Sequence, residues 1–129
     1  KIMSQLKKGK TELHIVNDKL GTPTYTHDFA NNVKHLLQKE YWGLYNMVCN
    51  GLTDRFEVTN ELINSLGLTA KVKLIPVDSS YWQAEYSAPR PPNERLINKK
   101  LDMRGLNVMR DWRLCLNEYM EKYYQGYLT

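Results

Sequence analysis

The chain has 129 residues and a mass of 15.2 kDa, the size of one ordinary domain with a core that needs no staples. Apolar residues are 42% and charged residues 25%, which excludes disordered and collagen-like chains. No apolar run approaches the roughly 18 residues of a membrane span, no signal peptide is present, and Cys49 and Cys115 read as reduced core fillers of a cytoplasmic protein.

Ile2, Met3 and Leu6 have helical spacing, and Gly9 stops the pattern. The chain therefore opens inside a helix at Lys1 rather than at a methionine, and a natural start there is not expected. Leu13 and Ile15 alternate with polar residues and predict a strand around 12–17, followed by a loop at Gly21-Thr22-Pro23-Thr24. A helix is expected next, with Thr26 as N-cap, Asp28 in its first turn, and a buried stripe of Phe29, Ala30, Val33, Leu36 and Leu37. Gly43 ends that region, and Leu44 to Val48 reads as a strand.

Asp54 and Glu57 have the residue types of a capping box, ahead of a helix that buries Val58, Leu62, Ile63 and Leu66 and stops at Gly67. Val72, Leu74 and Pro76 predict a short edge strand. Residues 78–95 lack clear periodicity but hold Tyr81, Trp82, Tyr86 and three prolines around Arg90, a composition that predicts a pinned, functional loop. Leu96 and Leu101 anchor a short helix ending near Gly105. A last helix buries Trp112, Cys115, Leu116, Tyr119, Met120 and Tyr123. The pattern is mixed α and β.

The net charge is +4 and the pI near 9.0, which opens a nucleic-acid reading. Basic residues gather at Lys7, Lys8 and Lys10 and again from Arg90 to Arg113, without zinc-finger or RNA-binding signatures. Two readings of that zone stand: a solvated basic face, or a site for a small anion such as a diphosphate. His14, His27 and His35 have no metal-ligand spacing. Nucleophile elbow, phosphate loop, Gly-x-Gly-x-x-Gly fingerprint and Tyr-x-x-x-Lys pair are all missing. No catalytic centre is assembled from these residues.

Several segments carry a resemblance. Gly21-Thr22-Pro23-Thr24-Tyr25-Thr26-His27-Asp28-Phe29-Ala30 resembles the Gly-x-Pro-Thr-Tyr-x-x-Asp-Leu-Ala signature of the dTDP-4-dehydrorhamnose reductase family, extended short-chain dehydrogenase/reductases acting on sugar nucleotides. Ala88-Pro89-Arg90-Pro91-Pro92-Asn93 is similar to that family's Ala-x-Arg-Pro-x-Asn-Ser. Gly43-Leu44-Tyr45-Asn46, Leu66-Gly67-Leu68, Lys100-Leu101 with Gly105, and Arg110-Asp111-Trp112 with Leu116 through Tyr119 follow in order. Glu94 stands where the family has serine, and the Tyr81-Trp82 loop is richer in aromatics. Both departures bear on nucleotide and sugar preference.

The resemblance implies that residues 1–129 are the C-terminal, substrate-binding part of a longer enzyme. The fold expected is the small substrate domain plus the last helix and strand of a Rossmann sheet. It implies a dTDP-sugar substrate, an absent N-terminal Rossmann domain carrying the cofactor fingerprint and Tyr-x-x-x-Lys pair, and NADPH for the whole enzyme but no cofactor held by this part. No catalytic residue is assigned here. Arg90 is the candidate for the substrate diphosphate or, alternatively, a structural ion pair. Thr24 and Tyr25 are placed at the substrate cleft, with packing beneath it as the other reading of Tyr25. Trp82 either stacks on thymine or covers the core. A strand at 44–48 without its sheet would lack partners for its backbone and apolar groups, so the fragment is expected to rearrange or to self-associate through it. A non-catalytic regulatory subunit on the same scaffold and a small basic nucleic-acid-binding domain are the alternatives.

Overall fold

The computed structural model describes residues 1–82 and 90–127. Its ordered elements are α1 (Ile2–Lys7), β1 (Glu12–Val16), β2 (Leu20–Gly21), α2 (Thr26–Gln38), β3 (Thr53–Asp54), α3 (Arg55–Ser65), β4 (Lys73–Val77), a 3-10 turn (Ser79–Trp82), α4 (Lys99–Met103) and α5 (Trp112–Tyr124). Tyr86, Ala88 and Pro89 lie outside the described residues.

β1 and β4 pair in parallel, with Leu13 opposite Leu74 and Ile15 opposite Pro76. A parallel pair requires a long crossover, and α2, β3 and α3 lie within it. Pro76 brings no N–H, which a strand at the edge of a two-stranded sheet tolerates. β2 and β3 form a short antiparallel pair, Leu20 opposite Asp54.

Two apolar clusters organise the chain. In the first, Leu6, Leu13, Leu62, Ile63 and Met120 are buried where α1, β1, α3 and α5 meet. The second contains Tyr25, Cys49, Met109, Trp112 and Cys115. Leu116 touches both, so α5 is the rod that joins them. Burying the side chains of such a cluster contributes about 1.5–3 kcal/mol each for the larger aliphatics.

The ends of α3 show why it forms. Asp54 Oδ1 accepts from the Glu57 amide at 2.8 Å, while the Glu57 carboxylate takes the Thr53 hydroxyl at 2.9 Å rather than closing a full capping box. At its other end Gly67 sits at φ +66, and the Gly67 and Leu68 amides donate to Asn64 O and Ile63 O. This is a Schellman cap, which a residue without Cβ adopts at no steric cost. α5 starts as cleanly, with Asp111 accepting from the Arg113 amide at 2.8 Å.

Two expectations are corrected. Thr26 is the first helical residue of α2, not its N-cap; Tyr25 takes that place in an extended conformation without a side-chain cap. The expected apolar stripe does not face inward either: Phe29 and Leu37 are exposed, and the buried residues of α2 are Asp28 and Asn32. The reason lies in the segment before α5, whose buried backbone needs polar partners. Asn32 donates to Leu106 O at 3.0 Å and accepts from the Val108 amide at 2.9 Å, and Asp28 accepts from the Arg110 amide at 3.2 Å.

The third correction concerns 44–48, which forms no strand. Side chains replace a neighbouring strand along one side of it. Asn98 binds both the amide (2.9 Å) and the carbonyl (2.7 Å) of Val48, and Lys100 Nζ donates to Leu44 O at 3.2 Å. The intervening backbone groups of Tyr45 and Met47 meet no partner among the described residues. Of the expected α5 stripe, Trp112, Cys115 and Met120 are buried, whereas Tyr119 and Tyr123 are exposed.

Candidate functional site

Open parallel sheets gather ligands outside the carboxyl ends of their strands, because loops leave both strands on that side. Here β1 delivers Asn17, Asp18 and Lys19 there, and β4 delivers Asp78 and the Ser79–Trp82 turn. The two ends are tied. Asn17 N donates to Val77 O at 3.1 Å, extending the ladder, and Ser79 Oγ donates to Asp18 Oδ2 at 2.8 Å. The turn itself is set by Asp78, which accepts from the Ser80 amide at 2.8 Å and is held below the usual carboxylate range by its bonds to Ser80.

An aromatic ledge follows. Tyr81 lies flat on His14 of β1, with ring centroids 5.1 Å apart and planes 8° from parallel. Trp82 meets Tyr81 edge-on at 5.0 Å. Tyr81 is 54% exposed, and Trp82 is half-buried. Neither ring belongs to the two buried clusters.

Arg90 reaches the same place by a different route. Its carbonyl accepts from Lys19 Nζ at 2.9 Å, the Leu20 amide donates to Pro92 O at 2.9 Å, and the Glu94 amide donates back to Leu20 O at 2.9 Å. Residues 90–94 thus run beside β2 as a strap, with Leu20 bridged in parallel to Asn93. Asn93 Oδ1 then turns the chain by accepting from the Arg95 amide and side chain. Arg90 is exposed, and among the described residues neither it nor Lys19 makes an ion pair. Such a guanidinium suits a phosphate oxygen pair.

Thr24 and Tyr25 stand apart from this cluster. Thr24 is exposed on the loop whose Thr22 hydroxyl donates to Gly51 O at 2.8 Å. Tyr25 turns inward: its ring is in the second cluster, its hydroxyl donates to Glu118 Oε1 at 3.2 Å, and its amide donates to Cys49 Sγ. Burial, together with the Glu118 carboxylate, pushes its phenol above the usual range.

Beneath Tyr25 is a part-buried polar network that the spacing of the sequence does not announce. Asp28, 3% exposed, receives Arg110 Nη2 at 2.7 Å and Nε at 3.0 Å, and Arg110 Nη1 donates to Glu118 at 2.7 Å. The Arg110 guanidinium draws both carboxyls below their usual range. Cys115 Sγ donates to Asp28 at 3.2 Å and lies 3.7 Å from Cys49 Sγ; burial pushes its thiol strongly up. The network has no exposed nucleophile and ties α2 to α5. Sequence reasoning also missed Asp18 and Lys19. Their only signal was position, directly between a predicted strand and the Gly21 loop.

Among the described residues no group of three His, Cys, Asp or Glu side chains is placed to hold a metal ion, and no helix is long and apolar enough to cross a membrane.

Comparison with known proteins bears on the family and the fold. The chain is 29% identical over 122 residues to the spore coat polysaccharide biosynthesis protein SpsK of Bacillus subtilis, covering 93% of this chain and 40% of that protein. It is 28% identical over 131 residues to a dTDP-4-dehydrorhamnose reductase of Escherichia coli, covering 95% of this chain and 43% of the relative. Among solved structures, a dTDP-4-dehydrorhamnose reductase of Clostridium acetobutylicum superposes with a TM-score of 0.87 at 27% identity, over 96% of this chain and 43% of that one. The match falls on its C-terminal portion. The chain thus spans about two-fifths of the length of the relatives it matches. The family described as the RmlD substrate binding domain matches residues 1–125, and the chain belongs to that family.

Proposed function

We propose that this chain is the substrate-binding part of an NADPH-dependent dTDP-4-dehydrorhamnose reductase. It holds the nucleotide end of a dTDP-linked 4-keto sugar while the keto carbon is presented to a hydride donor outside the chain. The observation that carries the reading is that the aromatic ledge of Tyr81 and Trp82 and the strap bearing Arg90, which makes no ion pair among the described residues, are both tied to the residues just after β1. A base stacks on the ledge, and the diphosphate takes the guanidinium. Thr24, exposed on its own loop, and Tyr25, packed in the second cluster, take no part in that contact.

The residues present do not suit a dinucleotide. The sequence has no Gly-x-Gly-x-x-Gly turn to let a helix N-terminus approach a pyrophosphate. In this proposal NADPH, which supplies hydride when bound, is held by the part of the relatives' length outside the match. The open face of α2 and the segment 44–48 receive that part. Phe29, Leu37, Trp42 and Leu44 are exposed there, and an apolar hollow of about 330 Å³ lies between Leu44, Ile97 and Met103. The backbone groups of Tyr45 and Met47, without partners among the described residues, can pair with an added strand.

The test is thermal unfolding of the chain with dTDP. Ligand at about 100 times its Kd stabilises by about 2.7 kcal/mol, a rise of several degrees for a chain this size. Thymidine alone is expected to give a smaller rise, and R90Q is expected to lose most of the dTDP effect. No shift with dTDP at millimolar concentration overturns the reading.

A further inference from the structure

Resting on the nucleotide reading above, we propose that Lys19 is the second cation of the same anion site and the residue that makes it prefer a diphosphate over a monophosphate. The observation is the way the tripeptide 18–20 handles its surroundings. Asp18 holds the Ser79–Trp82 turn through Ser79 Oγ, Lys19 holds the Arg90 carbonyl, and Leu20 holds Pro92 and Glu94 through its backbone. Three consecutive residues therefore join the aromatic ledge to the Arg90 strap.

Lys19 has two roles here. As a positioning residue it fixes the carbonyl of Arg90, and so the backbone point from which the guanidinium extends. Pro91 leaves little freedom on the other side of that point. As a ligand contact it brings charge. An ammonium has three donors, and the Arg90 carbonyl takes one of them. The remaining two have no carboxylate in ion-pair range among the described residues. Lys19 is half-buried, so its stem is held in place while its head stays at the surface.

Arginine and lysine divide a diphosphate between them in a way that neither manages alone. The planar fork of Arg90 fits two oxygens of one phosphate, and the compact charge of Lys19 meets oxygens of the next. A monophosphate satisfies only one of the two, and a nucleoside satisfies neither. The ligand class that uses every feature is a nucleoside diphosphate ester, with its base on Tyr81 and Trp82.

Calorimetric titration of the chain with dTDP, dTMP, thymidine and inorganic pyrophosphate tests this, using K19Q, K19R and, as a remote control, K34Q. K19Q is expected to weaken dTDP about tenfold, the loss of one charge-assisted contact, and to leave thymidine unchanged. The preference for dTDP over dTMP should shrink in K19Q, K19R should restore most of it, and K34Q should match the wild type. If K19Q binds dTDP like the wild type, the role of Lys19 is overturned while the nucleotide reading stands. If K19Q weakens thymidine as much as dTDP, Lys19 serves only the local fold, and the proposal also falls. Lys19-dependent binding of pyrophosphate without binding of dTDP overturns the nucleotide reading and keeps the clamp. No binding of dTDP or pyrophosphate overturns both.

Discussion

Helices α2 and α3 come from the same chain and bury opposite kinds of residue. α3 hides Leu62 and Ile63, together with Thr59, whose hydroxyl returns to its own helix at Arg55 O. α2 hides Asp28 and Asn32 and leaves Phe29 44% and Leu37 55% exposed. The first is a finished helix, capped at both ends and packed on β1 and α5. The second is fastened by polar bonds on one side and leaves apolar side chains exposed on the other. The difference teaches that α2 is held by its polar face alone, and that under the proposed function its apolar face is the one that receives the absent part.

The comparison is broken most severely at Asp28. D28A leaves Arg110 with Glu118 alone and strips a buried acceptor from the Arg110 amide and the Cys115 thiol. Removing one partner of a buried pair costs about 3–5 kcal/mol, and the partial exposure of Arg110 places the expected loss near the lower end, about 3 kcal/mol in chemical denaturation. The same pair predicts a pH signature. The folded-state pKa of Asp28 lies below its ordinary 3.8, so its stabilisation is complete above that value and disappears as pH falls through the folded-state pKa. D28A should remove that part of the acid loss. An unchanged stability in D28A would mean that α2 is held by something other than its polar face.

Gly51 is the next point of attack, because it lets the chain after segment 44–50 pass closely over α5. It sits at φ +95, and a Cβ there would lie 2.8 Å from the Trp112 ring and 2.9 Å from the Asp111 carboxylate. Both neighbours are fixed, Trp112 at 1% exposure and Asp111 as the N-cap of α5. G51A is expected to destabilise by about 2 kcal/mol, combining left-handed strain with displacement of the indole. Near-neutral behaviour in thermal unfolding would show that the second cluster is looser than its burial suggests.

What could be read beforehand divides along the same line. α3, α5 and Gly67 were legible because their signals are local: a cap residue, a 3.6-residue apolar period, a glycine at the stop. The apolar period of α2 was equally clear and pointed to the wrong face, since periodicity marks a face as apolar and does not say what lies against it. Residues 44–48 failed for the same reason: a strand needs a partner, and here Asn98 and Lys100 supply side-chain substitutes along one side only. The Asp28–Arg110 pair joins residues 82 apart, and no local spacing encodes it. At the candidate site, the prolines around Arg90 and the nearby aromatics were visible as a functional loop. The hub at Asp18 and Lys19 was not, because its work is done by bonds to distant backbone and hydroxyl groups.

The smallest energetic effect gives the sharpest test of the open face. Leu37 and Leu44 are 55% and 88% exposed in the chain, so neither contributes a buried side chain to its core. L37S/L44S should leave unfolding free energy within about 0.5 kcal/mol of the wild type, as surface changes do. Association should respond far more. An apolar face with free backbone beside it is a template for pairing, and in the chain by itself the available partner is a second copy. Sedimentation at rising concentration is expected to show self-association of the wild type and a shift toward monomer in the double variant. An isolated strand edge would not be cured by these substitutions, because Tyr45 and Met47 keep their backbone groups. Persistence of the oligomer in L37S/L44S would therefore assign the contact to backbone pairing, and loss of it would assign the contact to the apolar face. A wild type that stays monomeric at every concentration would instead require that the face tolerates water unaided, and the division between the two helices would lose its meaning.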